Sequence, residues 1–363
     1  MSSCYGKNIQ ISIFGQSHSP AIGVVIDGLP AGFAPDMEKL SAFLERRAPG
    51  RNALSTPRQE TDKVEIVSGM ADGRFCGAPF AALIYNHNVH SSDYHNIKET
   101  PRPGHADFTA FVKYHGAQDV AGGGHFSGRL TAPMCVAGGI CLQLLEQEGI
   151  YIGAHIQSIH QVPDIPFDPV KVSKETFYSL RTRLLPVMDR KAGEHMENLI
   201  EKVQQEGDSV GGVIECAAIG LPVGLGEPIF EGMENRLSSV IFGIPGVKGI
   251  EFGNGFACCD RMGSENNDPF TMEEGRVKTR TNRHGGILGG ITSGMPLIFR
   301  VAVKPTSSIF KSQETVSLSR LESTTLQIQG RHDPCIVPRA VPCIEAATAI
   351  AIYDAWLDYK KYQ

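Results

Sequence analysis

The order of strand-like and helix-like segments constrains the fold of this chain more than any other feature. Apolar alternation or continuous apolar runs predict strands at residues 8–13, 22–27, 64–69, 79–86, 151–157, 210–220 and 297–305. Helical periodicity predicts helices at residues 36–46, 127–148, 188–206 and 343–360, and a helix, turn and strand within 237–256. The strand–helix–strand units that a parallel doubly wound sheet requires do not recur regularly. We therefore expect an α+β fold in which residues 1–363 form one large domain.

Size and charge limit the class of protein. The chain has 363 residues, of which 41% are hydrophobic and 20% charged, so a packed core is expected rather than disorder. A net charge of -5 argues against non-specific binding of nucleic acid. No apolar run reaches the roughly 18 residues that a membrane span needs, and the sequence MSSCYGKNIQ lacks the apolar core of an export signal. We expect a cytoplasmic protein that binds neither nucleic acid nor membrane.

The cysteines and histidines form no metal-binding pattern. The nine cysteines include no C-x-x-C pair, and their odd number favours reduced thiols in a reducing cytosol. His87, His90 and His95 are close in sequence, but their spacing matches no zinc pattern. We therefore expect no disulfide framework and no bound metal.

Residues 101–131 contain an unusual density of groups that carry chemistry. The triple glycine 122–124 precedes a helix-like pattern, so the backbone can approach a ligand while the helix start offers N–H groups to an anion. Asp107 is placed to cap a short helix. Side chains that move protons or bind anions lie in the same stretch: Arg102, His105, His125 and Arg129. We predict a functional site here.

Other loops extend this site. Residues 46–58 contain four arginines, including Arg47, and a guanidinium can bind phosphate or carboxylate through two hydrogen bonds. The segment Lys304-Pro305-Thr306-Ser307-Ser308 places one charge and three hydroxyls at a strand end, which suits a phosphate or a ring carbonyl. These loops predict a pocket for a polyanion, and an elimination or transfer on a phosphorylated acid would fit it.

Several candidates leave two interpretations open. His18 and His105 each lie in a loop, where an imidazole is either a general acid or a structural, hydrogen-bonded group. Asp333, in GRHDPC, is either a turn residue or part of a site with its neighbours Arg331 and His332. The glycines of GGILGG (285–290) allow either tight packing or close approach of a ligand, because the spacing of a dinucleotide fingerprint is absent.

At these same residues the chain closely resembles the chorismate synthase family. The resemblance runs nearly end to end and in family order through FGQSHSPAIGVVIDGLPAG, RRAPG, SSDYHNIKETPRPGHADF, GDSVGGVIEC, RMGSENNDPF, GGILGGITSGMP, KPTSSI and GRHDPCIVPRAVP. The family fold is a helical layer sandwiched between two antiparallel β-sheets, assembled as a homotetramer. The resemblance implies the same α+β architecture and assembly for this chain.

The resemblance also implies an activity. The family converts 5-enolpyruvylshikimate 3-phosphate to chorismate by a 1,4-anti-elimination of phosphate, the last shared step of the shikimate pathway to aromatic amino acids. The reaction requires reduced FMN but has no net redox change, so FMNH2 is the implied cofactor. No nicotinamide fingerprint is visible in the sequence, so we expect an external flavin reductase to supply reduced FMN.

Residue roles follow from the matching motifs. By resemblance, His18 would protonate the departing phosphate, His105 would protonate or polarise the reduced flavin, and Asp333 would assist removal of the C6 hydrogen. Substrate anions would be bound by Arg47, Arg102, Arg129 and Arg331. FMN would contact His125, Phe126, Ser127, Gly289, Lys304, Pro305, Thr306, Ser307, Ser308 and Arg331.

The chain also departs from the family pattern. Gln16 replaces the usual glutamate of FGESHG, and His125-Phe126 replaces Arg-Ser after the triple glycine. The remaining departures are Ser19, Ala53 and Leu130. A homologue that binds FMN or anions with reduced or lost catalysis is therefore an alternative, and a protein that only reduces flavin is a third hypothesis.

Overall fold

The computed structural model describes residues 3–50, 62–86, 95–328 and 333–363. The strands within these ranges are β1 (Cys4–Tyr5), β2 (Gln10–Gly15), β3 (Ala21–Asp27), β4 (Val64–Ser68), β5 (Met70–Ala71), β6 (Arg74–Phe75), β7 (Phe80–Tyr85), β8 (Tyr151–Ile159), β9 (Val162–Pro163), β10 (Gly212–Ile219), β11 (Val247–Phe252), β12 (Phe270–Glu273), β13 (Arg276–Thr279), β14 (Ile287–Leu288), β15 (Ile291–Thr292), β16 (Leu297–Val303), β17 (Gln313–Ser317) and β18 (Glu322–Leu326). The helices are α1 (Met37–Arg47), α2 (His95–Glu99), α3 (Asp107–Lys113), α4 (Thr131–Gln147), α5 (Lys174–Arg181), α6 (Arg190–Gln205), α7 (Met233–Ile241), α8 (Gly263–Asn266) and α9 (Val337–Tyr359).

Two antiparallel sheets frame the fold. The strand order is β1-β2-β3-β7-β4 in the first sheet and β11-β16-β10-β8-β9 in the second. Ile22, Val24 and Ile26 alternate along β3 and are fully buried, because one face of the first sheet packs against helices. The predicted strands at 8–13, 22–27, 64–69, 79–86, 151–157, 210–220 and 297–305 are confirmed, with small differences at their ends.

A layer of helices lies between the two sheets. α4 packs on β2, β3 and β7 of the first sheet, and α9 packs on β8 and β10 of the second. α4 and α9 pack against each other, and α1 contacts both. Both central helices are apolar around most of their circumference, because the two sheets, α1 and the other central helix pack against them. The α+β architecture with a helical layer between antiparallel sheets is therefore confirmed.

Two segments of this layer are long and apolar enough to cross a membrane, namely Gly128–Gln147 and Val337–Tyr362. The expectation that no apolar stretch reaches this length is thus wrong. Within the fold, however, 83% and 89% of their apolar windows are buried. This burial is typical of core helices packed between sheets.

The two central helices come very close at Gly138. A Cβ atom placed on Gly138 would lie 2.3 Å from the Cβ and 2.4 Å from the Cα of Ala346 on α9. A backbone atom cannot rotate away from such a contact, so α4 and α9 can approach this closely only if position 138 has no side chain.

Gly138→Ala is expected to lower the free energy of unfolding by about 1–3 kcal/mol, because the helices must separate to admit the methyl group. The better helix propensity of alanine offsets at most about 1 kcal/mol of this loss. Gly263→Ala is the matched control, since a Cβ there meets nothing within 4 Å. Urea unfolding of the three proteins measures the effect, and equal midpoints for Gly138→Ala and the control would contradict it.

A buried ion cluster joins the second sheet to the segment that follows β8. His155 on β8 has Nδ1 3.1 Å from Asp164 Oδ2 and Nε2 2.9 Å from Glu215 Oε2. The Glu215 carboxylate also accepts a hydrogen bond of 2.6 Å from the backbone N–H of Phe167. Burial disfavours the imidazolium, but the hydrogen bonds and charges of the two carboxylates outweigh burial and raise the pKa of His155.

This raised pKa makes the stability of the protein depend on pH. The contribution of the imidazolium is complete below the ordinary histidine pKa of about 6.5 and is lost as the pH rises through the higher folded-state value. We expect the urea midpoint to fall on the alkaline side more steeply for the unmodified protein than for His155→Gln, whose side chain cannot titrate. Parallel curves of midpoint against pH for the two proteins would rule out this assignment.

Candidate active site

The triple glycine brings two histidines together. Gly122, Gly123 and Gly124 have φ values of 61°, 88° and 55°, in the left-handed region that favours glycine. A Cβ on Gly122 would lie 2.7 Å from Nε2 of His18, and a Cβ on Gly123 would lie 3.1 Å from Nε2 of His105. Both imidazoles can therefore approach this backbone only because it has no side chains.

The helix predicted at residues 127–148 after the triple glycine is confirmed, since helical backbone runs without a break from Gly128 to Gln147. Short 3-10 turns at Ala121–Phe126 and Gly128–Leu130 come first, and α4 begins only at Thr131. The turns fold the segment back so that the backbone N–H of Ser17 donates to the carbonyl of Gly124 over 3.0 Å. The glycines thus dock the loop of His18 onto the segment that leads into α4.

His105, Asp107 and Arg102 form one hydrogen-bonded group. The prediction that Asp107 caps α3 is wrong, because Asp107 is the first residue of the helix. Its carboxylate lies 2.6 Å from His105 Nδ1 instead. The same carboxylate accepts hydrogen bonds from Arg102 Nε (2.7 Å) and Nη2 (2.8 Å). Burial opposes ionisation, but the bonds from Arg102 and His105 outweigh it and hold the pKa of Asp107 well below its usual range. The ionised carboxylate therefore keeps the proton of His105 on Nδ1, and Nε2 faces Gly123.

Asp62 binds two further predicted arginines of the site, Arg47 and Arg129. Its fully buried carboxylate pairs with Arg47 Nη1 over 2.5 Å and with Arg129 Nη1. Arg47 also donates to Thr131 Oγ1 (3.1 Å), and Arg129 donates to Asn86 Oδ1 (3.0 Å). Burial opposes ionisation of Asp62, but the charges of both arginines outweigh it and lower its pKa. One carboxylate thus fixes two guanidiniums that are themselves almost completely buried.

The segment 304–308 packs against the loop of His105. Lys304 Nζ donates to the carbonyl of Gly104 and to Ser307 Oγ, both over 2.6 Å. Ser308 Oγ accepts a hydrogen bond of 3.3 Å from Arg102 Nη1. Burial and the nearby charge of Lys248 lower the pKa of Lys304. The predicted hydroxyl-rich clamp is therefore in direct contact with the histidine loop.

These groups surround a cleft of about 300 Å³. Among the described residues that line it, cations outnumber carboxylates, which suits a polyanion. The predicted residues in its wall are Arg47, Arg102, His105, Phe126, Ser127, Arg129, Lys304, Pro305, Thr306, Ser307, Ser308 and Asp333. Most of the predicted site is thus brought together, although its members are up to about 290 positions apart in the chain.

The cleft adjoins a larger cavity of about 1030 Å³. His105, Phe126 and Lys304 border both spaces. The larger cavity is walled mainly by apolar and aromatic side chains, including Tyr114, whose ring centroid is 6.4 Å from that of Phe126. An apolar cavity of this size with a few polar groups is typical of a cofactor site.

Three predicted site residues, His18, His125 and Gly289, do not line the cleft. The imidazole of His18 is half-buried beside Gly122, which lines the cleft. His125 borders the larger cavity, and its ring is fixed by contacts of Nδ1 with Gly15 O (2.7 Å) and of Nε2 with Ser3 Oγ (2.8 Å). Gly289 lies in the exposed turn between β14 and β15 and borders neither space. Arg331 lies outside the described residues, as do Ala53, His87 and His90.

Two functional candidates were missing from the sequence prediction, Asp62 and Arg339. Arg339 lines the cleft. Its guanidinium donates to Asp333 Oδ2 over 2.5 Å and to the backbone carbonyl of Arg47 over 3.0 Å. Burial lowers the pKa of Arg339. Arg339 lies in the motif GRHDPCIVPRAVP, six positions after Asp333 and before the predicted last helix, and that nearness to Asp333 was the signal available; Asp62 had no distinguishing pattern.

The fold and the cleft together define an α+β protein with a cation-lined site suited to a small anion. The family model described as chorismate synthase matches residues 9–357. The chain is 46% identical to the chorismate synthase of Lancefieldella parvula over 100% of this chain and 98% of that protein. It is 45% identical to the chorismate synthase of Thermococcus kodakarensis over 99% and 98% of the two chains. This chain belongs to the chorismate synthase family.

A solved structure agrees with this assignment. A crystal structure described as chorismate synthase superposes with a TM-score of 0.77 and is 26% identical in sequence. The superposition covers 98% of this chain and 93% of that one. The fold as well as the sequence is therefore similar along almost the whole length.

Proposed function

We propose that this protein converts 5-enolpyruvylshikimate 3-phosphate to chorismate by a 1,4-anti-elimination of phosphate, with reduced FMN as cofactor. The observation that carries the proposal is the cation-lined cleft that opens, at His105, into a larger apolar cavity. The substrate has one phosphate and two carboxylates, and arginines are the side chains best suited to bind such groups. The adjoining cavity has the size and the aromatic wall that a flavin ring requires.

Buried polar atoms support a cofactor at this place. Gln118 Oε1 and Thr306 Oγ1 have no hydrogen-bond partner among the residues that the structure describes. Gln118 borders the larger cavity and Thr306 borders the cleft. Because buried polar groups are nearly always paired, a bound flavin or substrate is expected to supply the partners. When bound, reduced FMN would lend the electron density that helps expel phosphate.

The protein groups then bind, orient and move protons. Arg47 and Arg129, held by Asp62, would bind substrate anions with little reorganisation. His18 would donate a proton to the departing phosphate, and His105 would hold a proton on the flavin side of the junction. Arg339 orients the Asp333 carboxylate, which would assist removal of the C6 hydrogen.

The proposal predicts phosphate release that depends on reduced flavin. Purified full-length protein is mixed anaerobically with the substrate and either reduced or oxidised FMN, and phosphate is measured. Release only with reduced FMN is expected. Absence of release from folded protein that binds FMN would reject the proposal.

The alternative is an FMN- or anion-binding homologue with reduced or lost catalysis. The observation that favours it is His125, whose ring nitrogens contact Ser3 and Gly15 and which stands where the family pattern has arginine. Titration of FMN fluorescence beside the turnover assay separates the two functions. Binding without turnover supports the alternative, and binding with turnover supports the enzyme.

We also propose that the protein works in the cytoplasm as a homotetramer supplied with reduced FMN by a separate flavin reductase. Exposed apolar side chains support an assembly, since Phe230 and Phe256 are each 84% exposed. The turn of Gly289 adjoins the segment that carries Phe230, because the backbone N–H of Met233 donates to the carbonyl of Gly290 over 2.8 Å. Turnover driven by NADPH and FMN with no added reductase would overturn the external supply.

A further inference from the structure

Two buried thiols lie beneath the cleft, one on each central helix. Cys135 of α4 and Cys343 of α9 are 0% and 3% exposed, and their Sγ atoms are 3.9 Å apart. All nine cysteines are free thiols. A separation of 3.9 Å places the two sulfur atoms in direct contact, which is the first requirement for a disulfide between them.

The two thiols have different surroundings. Cys343 is part of the wall of the cleft, whereas Cys135 is not. The hydrogen bond from Cys135 outweighs burial and, with the charge of Arg47, lowers the pKa of Cys343 to about 7. The same contact raises the pKa of Cys135. Cys343 donates to the carbonyl of Arg339 over 3.4 Å, so it is a thiol in this arrangement, and its lowered pKa makes it the more easily ionised sulfur of the pair.

Other buried cysteines do not share these surroundings. Burial raises the pKa of Cys141, Cys216 and Cys335, that of Cys335 to about 12. None of these three lines the cleft. Access and a lowered pKa coincide at Cys343 among the buried cysteines.

We propose that Cys343 is a modification site for hydrogen peroxide and that Cys135 is its resolving thiol. The Cys343 thiolate attacks one peroxide oxygen, so an S–O bond forms, the O–O bond breaks, and the departing hydroxide takes up a proton as water. Sulfur is oxidised to a sulfenic acid and peroxide is reduced. The Cys135 sulfur then attacks Cys343, an S–S bond forms, the S–O bond breaks, and the hydroxide leaves with the Cys135 proton as a second water.

The size of the cleft explains why a peroxide is the suitable reagent. Cys343 is only 3% exposed at the wall of a cleft of about 300 Å³, so a molecule close to water in size reaches it more easily than a bulky oxidant. The disulfide would tie α4 to α9 directly beneath Arg47, and a reducing thiol would reverse it. This inference does not depend on the proposed reaction.

Peptide mapping of the full-length protein tests the proposal. After treatment with hydrogen peroxide and blocking of free thiols under denaturing conditions, trypsin should yield the peptide 130–171 linked to the peptide 340–360. The linkage should disappear after reduction. Because 130–171 also contains Cys141, fragmentation or the variant Cys141→Ala assigns the partner. A link to Cys141, or an unmodified Cys343 at peroxide concentrations that oxidise the exposed Cys4 and Cys76, would overturn the proposal.

Cys135→Ala is the matched variant, because it removes the resolving sulfur and retains the sulfur at the cleft. Peroxide should then leave a sulfenic acid on Cys343, which dimedone traps when the protein is denatured, and no 130–171 to 340–360 link should form. Persistence of that link, or absence of any trapped adduct at Cys343, would contradict the assignment of the two roles. If this variant does not fold, the mapping of the unmodified protein still decides the proposal.

Discussion

Asp62→Asn is expected to reduce kcat/KM for phosphate release by at least about 100-fold, because the two arginines that it positions lose their common anchor. The change also leaves the guanidiniums of Arg47 and Arg129 buried beside a neutral amide. Removing one partner of a buried ion pair costs about 3–5 kcal/mol, so the urea midpoint should fall as well. Steady-state phosphate release with reduced FMN and urea unfolding measure the two effects separately.

Asp72→Asn provides the control for this substitution. Asp72 lies in an exposed turn with a φ of 49°, which asparagine tolerates well, so the same chemical change there should alter neither activity nor stability. An Asp62→Asn protein with the kinetics and stability of the control would show that the carboxylate does not organise the cleft.

His105→Ala is expected to lower kcat by about 10²–10⁴-fold while binding of FMN and substrate changes only slightly. The imidazole borders both the cleft and the larger cavity, and Asp107 fixes its tautomer through the contact of 2.6 Å with Nδ1. Loss of a proton-carrying group at this junction affects the reaction more than the ground state. Turnover and FMN fluorescence titration on the same preparation give the two quantities.

The comparison variant is His195→Ala, which removes an exposed imidazole on α6, far along the chain from the site segments. Its kcat should match that of the unmodified protein. Full activity in His105→Ala would disprove the role of His105, and a parallel loss of FMN binding would show that the side chain serves binding instead.

Local patterns were sufficient for most of the framework. A continuous apolar run located β3, and Asp36 marked the start of α1, whose first turn it caps. α9 begins at Val337 rather than 343, because Pro338 lies in the first turn, where its missing N–H costs little, and packing between the sheets carries the helix through Pro342. The arrangement of the sheets around the helical layer came from the family resemblance and not from periodicity. The extent of the single domain, residues 1–363, stays a prediction.

The sequence predicted which residues form the candidate site, but not the hydrogen bonds and ion pairs that orient them. Arginines and histidines in glycine-rich loops indicated an anion pocket, and the cleft contains most of them. The partners that orient them could not be inferred, because Asp62 bridges Arg47 and Arg129 through contacts between distant segments. Asp107 resembled a helix cap for a different reason: Arg102 and His105 are close to it in sequence, but the spacing alone does not show that its carboxylate turns to them instead of to the N–H groups of α3.

The ratio of phosphate released to reduced FMN consumed in a sealed anaerobic reaction decides whether the flavin acts as a catalyst or as a spent reductant. Absorbance follows the flavin while phosphate and product are assayed in the same sample. An elimination without net redox change should release many phosphates per flavin, with equal amounts of phosphate and chorismate. The spectrum of reduced FMN should be unchanged at the end. Phosphate release that stops at one per flavin, with the flavin left oxidised, would contradict it.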